Sequence, residues 1–217
     1  FAAEVLRHAP DAERMILLKT SILPQVSASE AEALTGEKRA ERVLAELARK
    51  NYFTYRLAGT DPTYQYHPLF REFLLTQLGL HISADDLATL RRRAAKFAET
   101  ADKVDEAVAL WREAGDWAAL GELIVRKART LVDQGRHQTL RAWIEALPPP
   151  VQAASPWLLY WRGVCVLPHD PEAARAMLEE AFAHFKTLGD RAAMLYATCA
   201  IVDTFVFQWG SFLGLDR

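Results

Sequence analysis

Apolar residues recur at helical spacing along most of the chain after Ser83. They fall at steps of three and four, which is the pattern of an amphipathic helix with one buried side. The first stripe consists of Leu87, Leu90, Ala94, Phe97 and Ala101. Further stripes continue to Phe185. The pattern predicts helices over 84–101, 103–114, 117–134, 136–147, 156–167 and 171–187.

Cap residues repeat between these helices. Candidate N-caps follow one another at intervals of 33, 39 and 35 residues, and they are Ser83, Asp116, Ser155 and Asp190. Gly115 and Gly189 stand before two of them as helix stops. A period of this size is typical of stacked helix hairpins. The sequence therefore predicts an α-α superhelical array over 82–217, with an irregular helical bundle as the alternative.

The third helix pair comes nearest to a tetratricopeptide repeat. Gly163 lies in its first helix, and Ala174, Leu178 and Ala181 lie in its second. Small residues at these places let two helices approach closely, while Leu178 fills the space between turns. The first two pairs share the length but not all of the small residues, so the array is interpreted as tetratricopeptide-like.

The first eighty residues follow a different pattern. Helical stripes predict helices over 11–23 and 39–50, and a capping box at 27–30 predicts a shorter helix that ends at Gly36. The period then changes to two, with Phe53, Tyr55 and Leu57 alternating with polar residues. A turn over 58–62 separates this strand from another at 63–67. Three helices plus a β-hairpin predict a winged-helix module over 1–81, in a chain that is mainly α.

Composition places the chain among soluble globular proteins. Its 217 residues are 51% hydrophobic and 25% charged, with a net charge of −2. We find no apolar run of the roughly 20 residues that a membrane helix needs, so a cytoplasmic protein without membrane contact is expected.

Cys165 and Cys199 lie far apart within predicted helices, where both are expected to be small core residues. Because the chain starts without methionine and ends after the apolar stretch 205–213, we expect it to be part of a longer protein.

Catalytic and metal-binding motifs are not recognisable. The sequence has no phosphate-binding loop, no Gly-x-Ser-x-Gly and no His-x-x-x-His, and its six histidines are scattered. We therefore expect a protein that is not an enzyme, with neither catalytic residues nor a metal site.

Basic residues on the predicted helix 39–50 raise an alternative. Arg39, Arg42 and Arg49 could read DNA from this helix, as in other winged or helix-turn-helix modules. Against this, residues 1–80 contain ten basic and ten acidic residues, and phosphate contacts need an excess of cations. The arginine run 91–93 is interpreted as a solvated helix face, or as a contact for an acidic neighbouring domain.

His67 is the residue with the clearest potential role. Pro68 suits the first turn of a helix and thereby places His67 at the helix start. A helix N-terminus attracts anions, and an imidazole N–H there can donate to a phosphate oxygen. The alternative is that the ring only joins strand to helix, packed among Tyr64, Tyr66 and Phe70.

Several strings along the chain carry a family resemblance. They are 1–7, 17–23, 34–36, 51–53 and 66–74, with 93–95 and 143–148 fitting as well. Together they resemble the segment downstream of the ATPase core in MalT-like, large ATP-binding LuxR-type transcriptional activators, which are signal-transducing (STAND) ATPases. The string Tyr-x-Tyr-His-x-Leu-Phe-Arg-x-Phe-Leu, at 64–74, is the most specific part.

The resemblance implies a parent with four parts: a nucleotide-binding core, a winged helix, a superhelical sensor and a C-terminal helix-turn-helix. This chain would hold the middle two and no cofactor of its own, with ATP or ADP bound by the core. Its partners would be the upstream nucleotide-binding domain in cis and a small-molecule or protein effector on the array, with DNA contacted by the C-terminal domain. In the broader class a histidine of a Met-His-Asp-like motif holds ADP, and His67 corresponds to it, with Tyr66 and Pro68 as its neighbours here.

The leading hypothesis is therefore a regulatory middle segment that relays nucleotide state and effector binding. An autonomous DNA-binding winged helix with a helical tail is the first alternative, and a plain protein-interaction scaffold is the second.

Overall fold

A computed structural model describes residues 2–59 and 61–208. The chain packs as two compact units, Phe1–Gly115 and Asp116–Arg217. Over the described residues the protein is mainly helical, with one small sheet, and it consists of a winged-helix domain followed by a helical array, as predicted. The first array pair packs within the same unit as the winged helix. The domain boundary between residues 81 and 82 stays a prediction.

The first unit begins with the winged helix and ends with one helix pair. Its elements are α1 (Ala2–His8), α2 (Asp11–Thr20), β1 (Gln25–Ser27), α3 (Ala28–Thr35), α4 (Ala40–Arg49), β2 (Thr54–Leu57), β3 (Thr63–Tyr66), α5 (Pro68–His81), α6 (Ala84–Thr100) and α7 (Val104–Glu113). The predicted capping box is present, because Ser27 accepts a hydrogen bond from the Glu30 backbone while the Glu30 side chain accepts one from Ser27. Gly36 then ends α3 with a φ of 76°, a left-handed conformation that glycine adopts without strain.

The sheet has three strands in the order β1-β3-β2, one more than the predicted hairpin. Strand β1 pairs antiparallel with β3, and Val26 lies opposite Tyr64. The alternation of apolar residues does not mark the buried face of β2: Thr54 is buried, whereas Tyr55 is 53% exposed. Phe53 has a φ of 50° and stands before the strand, so β2 starts one residue later and its other face turns inward. Central strand β3 buries Tyr64 and Tyr66.

The second unit continues the array. Its helices are α8 (Trp117–Asp133), α9 (His137–Glu145), α10 (Pro149–Ala154), α11 (Pro156–Val166), α12 (Pro171–Leu188) and α13 (Arg191–Gln208). All four predicted N-caps are confirmed, since each side chain accepts a backbone N–H three residues ahead. The short α10 is not among the helices predicted from the apolar spacing. Pro149 in fact occupies its first turn, where the missing N–H costs nothing.

Helices α11 and α12 approach closely at Gly163. A Cβ added to Gly163 would meet the Leu178 side chain at 2.9 Å and the Ala174 carbonyl oxygen at 3.3 Å. Ala174, Leu178 and Ala181 are each fully buried. The small-residue contact predicted for this pair is present, while the assignment to the tetratricopeptide family stays a prediction.

The cysteines differ from the prediction that both are core residues. Cys165 is buried, but Cys199 on α13 is exposed. Apolar residues surround most of α13, so its spacing does not reveal which side faces inward. The inward side is the one that carries Ala193, Ala197 and Ala200.

We expect the two thiols to react very differently. Burial raises the pKa of Cys165 to about 11, so at pH 8 it is neither accessible nor a thiolate. With a chromogenic disulfide reagent, one thiol per chain should react in the native protein and two after unfolding. Cys199→Ser should abolish the native reaction; a reaction that persists in this variant would contradict the burial of Cys165.

Candidate functional site

His67 is the N-cap of α5, and Pro68 occupies the first turn, as the spacing predicts. The His67 backbone N–H donates to the Phe53 carbonyl oxygen at 2.7 Å, which fastens the start of α5 to the turn before β2. The His67 side chain does not cap the helix, and the first turn of α5 carries no acidic residue. The positive end of the α5 dipole is therefore not neutralised by its own helix.

The imidazole of His67 is half-buried and lies edge-on to the Phe53 ring, with 6.5 Å between ring centroids. Its Nδ1 is buried and has no hydrogen-bond partner in the part of the chain that the structure describes. An unpaired buried N–H is costly, so the ring is best accommodated with its proton on Nε2. That tautomer leaves Nε2–H as the donor available to another group.

Phe53 holds a strained backbone next to this histidine. A φ of 50° is an outlier for a bulky side chain. The Phe53 ring packs against Phe70 of α5, with 5.4 Å between centroids. Such strain persists only where the surroundings enforce it, and it concentrates at functional sites.

Tyr66, the residue before His67, anchors β3 to the end of α2. Its hydroxyl lies 2.7 Å from the Thr20 hydroxyl, and both side chains are buried. Thr20 donates its own proton to the Ile16 carbonyl oxygen at 2.7 Å. Tyr66 must therefore donate to Thr20 Oγ1.

Arg71, one turn after His67, is a second anchor on the same segment. Its Nε donates to the Ser21 carbonyl oxygen and its Nη2 to the Ile22 carbonyl oxygen, both at 2.8 Å. These carbonyls follow the last turn of α2, where backbone acceptors lack helical partners. Burial lowers the pKa of Arg71, while Glu113 and Glu106 act in the opposite direction. The guanidinium remains charged and bridges α5 to the end of α2.

Two arginines of the run 91–93 make contacts within the first unit, and one of them ties the first array pair to the winged helix. Arg93 of α6 donates to the Ala33 carbonyl oxygen on α3. Arg91 lies 3.2 Å from a Glu113 carboxylate oxygen, which joins α6 to α7. The run is therefore not a merely solvated face, because two of its arginines bind within the unit.

The residues proposed for DNA binding lie elsewhere. Arg39, Arg42 and Arg49 are exposed on α4 and its N-cap, and their spacing aligns them along one side. Arg39 lies 3.5 Å from a Glu37 carboxylate oxygen. A DNA-reading role for these arginines stays a prediction.

Replacing Tyr66 by phenylalanine should lower the free energy of unfolding at pH 7 by about 1 kcal/mol, since one buried hydrogen bond is lost. Burial raises the pKa of Tyr66 well above its usual value. Above pH about 10 the unfolded tyrosine ionises while the folded one does not, so the wild type loses stability that the variant keeps. The difference should shrink with rising pH in chemical unfolding. Tyr55→Phe, at an exposed position, is the control, and an equal loss there would contradict this anchor.

Sequence reasoning identified His67 but missed its supports. Thr20, Phe53 and Arg71 act through contacts that link distant parts of the chain, and spacing does not encode such contacts. One signal was available, since Arg71 interrupts the apolar stripe of α5 next to Phe70 and Leu74. A charged residue in that position usually has a specific partner.

The described residues form a winged-helix domain followed by a helical array. Residues 2–86 match the family model described as the MalT winged helix domain. HTH-type transcriptional regulator MalT of Cronobacter sakazakii (strain ATCC BAA-894) is 28% identical over 156 residues, which are 72% of this chain. The match spans 17% of that relative's length.

Both comparisons confirm the resemblance to MalT-like transcriptional regulators that was found in the sequence, and the family model covers the winged helix. The two strings at 17–23 and 66–74 that carried the resemblance meet in space, because Tyr66 and Arg71 bind Thr20, Ser21 and Ile22. The described helices include none that is long and apolar enough to cross a membrane.

Proposed function

We propose that this chain is the regulatory middle of an ATP-dependent transcriptional activator, in which the winged helix relays nucleotide state. The observation that carries the proposal is the His67 junction: a half-buried imidazole with an unpaired buried Nδ1, at a helix start without acidic residues. In this proposal ATP or ADP is bound by an upstream nucleotide-binding domain in cis, and this chain performs no catalytic step.

The junction fits a phosphate group chemically. An Nε2–H donor and the positive end of α5 both favour an anion at this place. Leu69 follows directly and is 71% exposed, which offers apolar surface for a neighbouring domain beside the histidine. The MalT-like relative supports the class of protein, and the ADP-sensing role is our inference for His67.

Arg71 gives the proposed relay a route through the first unit. A change at His67 displaces the start of α5, and Arg71 transmits that displacement to the end of α2 through two hydrogen bonds. The strained Phe53 turn, held by His67 and Phe70, is the element that we propose responds to a change at the histidine.

The array in this proposal recognises an effector, either a small molecule or a regulatory protein. A cavity of about 620 Å³ between α8, α10 and α11 supports this role. It is lined mainly by apolar side chains, including Val125, Val151 and Leu158. DNA would be bound by a C-terminal domain of the parent.

A transcriptional reporter tests the relay in a full-length regulator that contains this chain. His67→Ala should raise activity measured without effector, because the ADP-bound resting state loses a contact. His81→Ala is the matched control, since His81 is an exposed histidine at the other end of α5. Equal, unchanged basal activity in both variants would refute the role of His67.

A further inference from the structure

A second cavity lies on the winged helix, between α1, α2 and α4, with a volume of about 500 Å³. Its floor is apolar and consists of Leu17, Val43 and Leu47, which are 1%, 6% and 9% exposed. Tyr52, 41% exposed, adds an aromatic wall. The cavity can thus hold an aliphatic or aromatic group of moderate size.

The rim of this cavity is predominantly acidic. Glu4, Glu13 and Glu46 contribute three carboxylates. Lys50 is the one lysine or arginine among the lining residues, and the His8 imidazole also lies there. Lys50 lies 2.6 Å from Glu46 and holds the pKa of Glu46 below its usual value. Glu46 is therefore committed to Lys50, and the unbalanced charge resides on Glu4 and Glu13.

Glu13 is half-buried at the cavity wall, and none of the residues described by the structure pairs with it. Glu4 is engaged only loosely, at 3.8 Å from Arg7 and 3.5 Å from His8, and its side chain is 58% exposed. A carboxylate without a partner beside an apolar floor attracts a cation whose stem can pack on that floor. The same negative rim repels phosphate backbones.

We propose that this cavity binds a basic, apolar peptide segment of a partner protein. An arginine or lysine side chain of the segment faces Glu4 and Glu13, and a neighbouring aliphatic side chain covers Leu17, Val43 and Leu47. The Tyr52 ring, whose centroid lies 6.0 Å from the Lys50 ammonium, adds apolar contact for the aliphatic side chain. This site is separate from the His67 junction and does not depend on the function proposed for it.

The test uses the 217-residue chain and a pair of probes that differ only in charge. Acetyl-Leu-Arg-Leu-amide is titrated against its citrulline counterpart, and the methyl resonances of Leu17, Val43 and Leu47 are followed by NMR. The arginine peptide should shift these methyls saturably and bind roughly fivefold more tightly than the citrulline peptide, an advantage that falls with added salt. Glu13→Gln should remove most of this advantage, whereas Glu32→Gln, on exposed α3 surface, should not.

Two results would overturn the proposal. One is equal affinity of the two peptides, which would make the cavity a charge-indifferent apolar groove. The other is the absence of saturable shifts at these methyls in a protein whose near-ultraviolet circular dichroism shows it to be folded. Because Glu13 lies at the surface of the cavity, Glu13→Gln is expected to fold normally, and the same spectrum checks this.

Discussion

Arg71→Ala should lower the free energy of unfolding of the first unit by about 3 kcal/mol, since it removes two charge-assisted hydrogen bonds to the main chain. The acceptors Ser21 and Ile22 are buried, so their carbonyl groups would be left without a partner and with little access to water. Arg71→Lys should recover only part of the loss, because an ammonium cannot reproduce the two-pronged guanidinium geometry. Hydrogen exchange of the α2 and α5 amides measures the effect locally.

Arg42→Ala is the matched control for this prediction. Arg42 is an exposed arginine of the same winged helix, and its removal should change stability by less than about 0.5 kcal/mol. If Arg71→Ala and Arg42→Ala had similar effects on exchange, Arg71 would not be the clamp between α5 and α2.

Gly163→Val should destabilise the second unit by about 3 kcal/mol, because the added side chain overlaps Leu178 and the Ala174 carbonyl group. For Gly163→Ala the same clash opposes the roughly 1 kcal/mol that alanine gains over glycine in a helix. The Leu178 side chain would be only 2.9 Å from the new Cβ, so we expect a net loss of about 1 kcal/mol. Urea unfolding followed by tryptophan fluorescence reports this loss.

Gly121 of α8 provides the control within the same unit. Its Cβ would lie at ordinary contact distance, 3.7 Å from Leu158, so Gly121→Ala should be neutral or stabilising by up to about 1 kcal/mol. Leu178→Ala combined with Gly163→Ala should cost less than the sum of the single changes, since the smaller residue makes room. Additive losses would contradict the close contact between α11 and α12.

The bounds predicted from the sequence for the array helices 84–101 and 117–134 agree closely with those in the structure. Predicted helices 84–101 and 117–134 correspond to α6 (Ala84–Thr100) and α8 (Trp117–Asp133). The reason is local, because an amphipathic stripe and a capping side chain at each start determine a helix through neighbours three or four residues away. The helix ends at Gly115 and Gly189 are also determined by local sequence, since these glycines adopt φ values of 67° and 71°.

Features that depend on tertiary pairing were missed. Strand β1 has three residues and a single buried side chain, Val26, so it forms only because β3 offers an edge for it. The inward face of β2 is set by the backbone turn at Phe53 and not by the alternation of Tyr55 and Leu57. Cys199 was misplaced because an evenly apolar helix does not reveal its buried side.

In the candidate site, too, the local feature was predicted and the long-range contacts were not. Pro68 was sufficient to place His67 at a helix start, which is a local property. The contacts of Tyr66 with Thr20 and of Arg71 with Ser21 span 46 and 50 residues. Hydrophobic periodicity relates residues only a few positions apart, so it does not predict contacts at that separation. These contacts form because the fold brings α2 and α5 together.

The most direct test of the proposed relay is the rate at which bound ADP leaves a full-length regulator that contains this chain. With a fluorescent ADP analogue and excess unlabelled nucleotide, His67→Ala should release the analogue several-fold faster than the wild type, and His81→Ala should release it at the wild-type rate. Loss of one charge-assisted hydrogen bond corresponds to a change of about tenfold. Identical release rates for the wild type and His67→Ala would contradict the role of His67 as the nucleotide sensor.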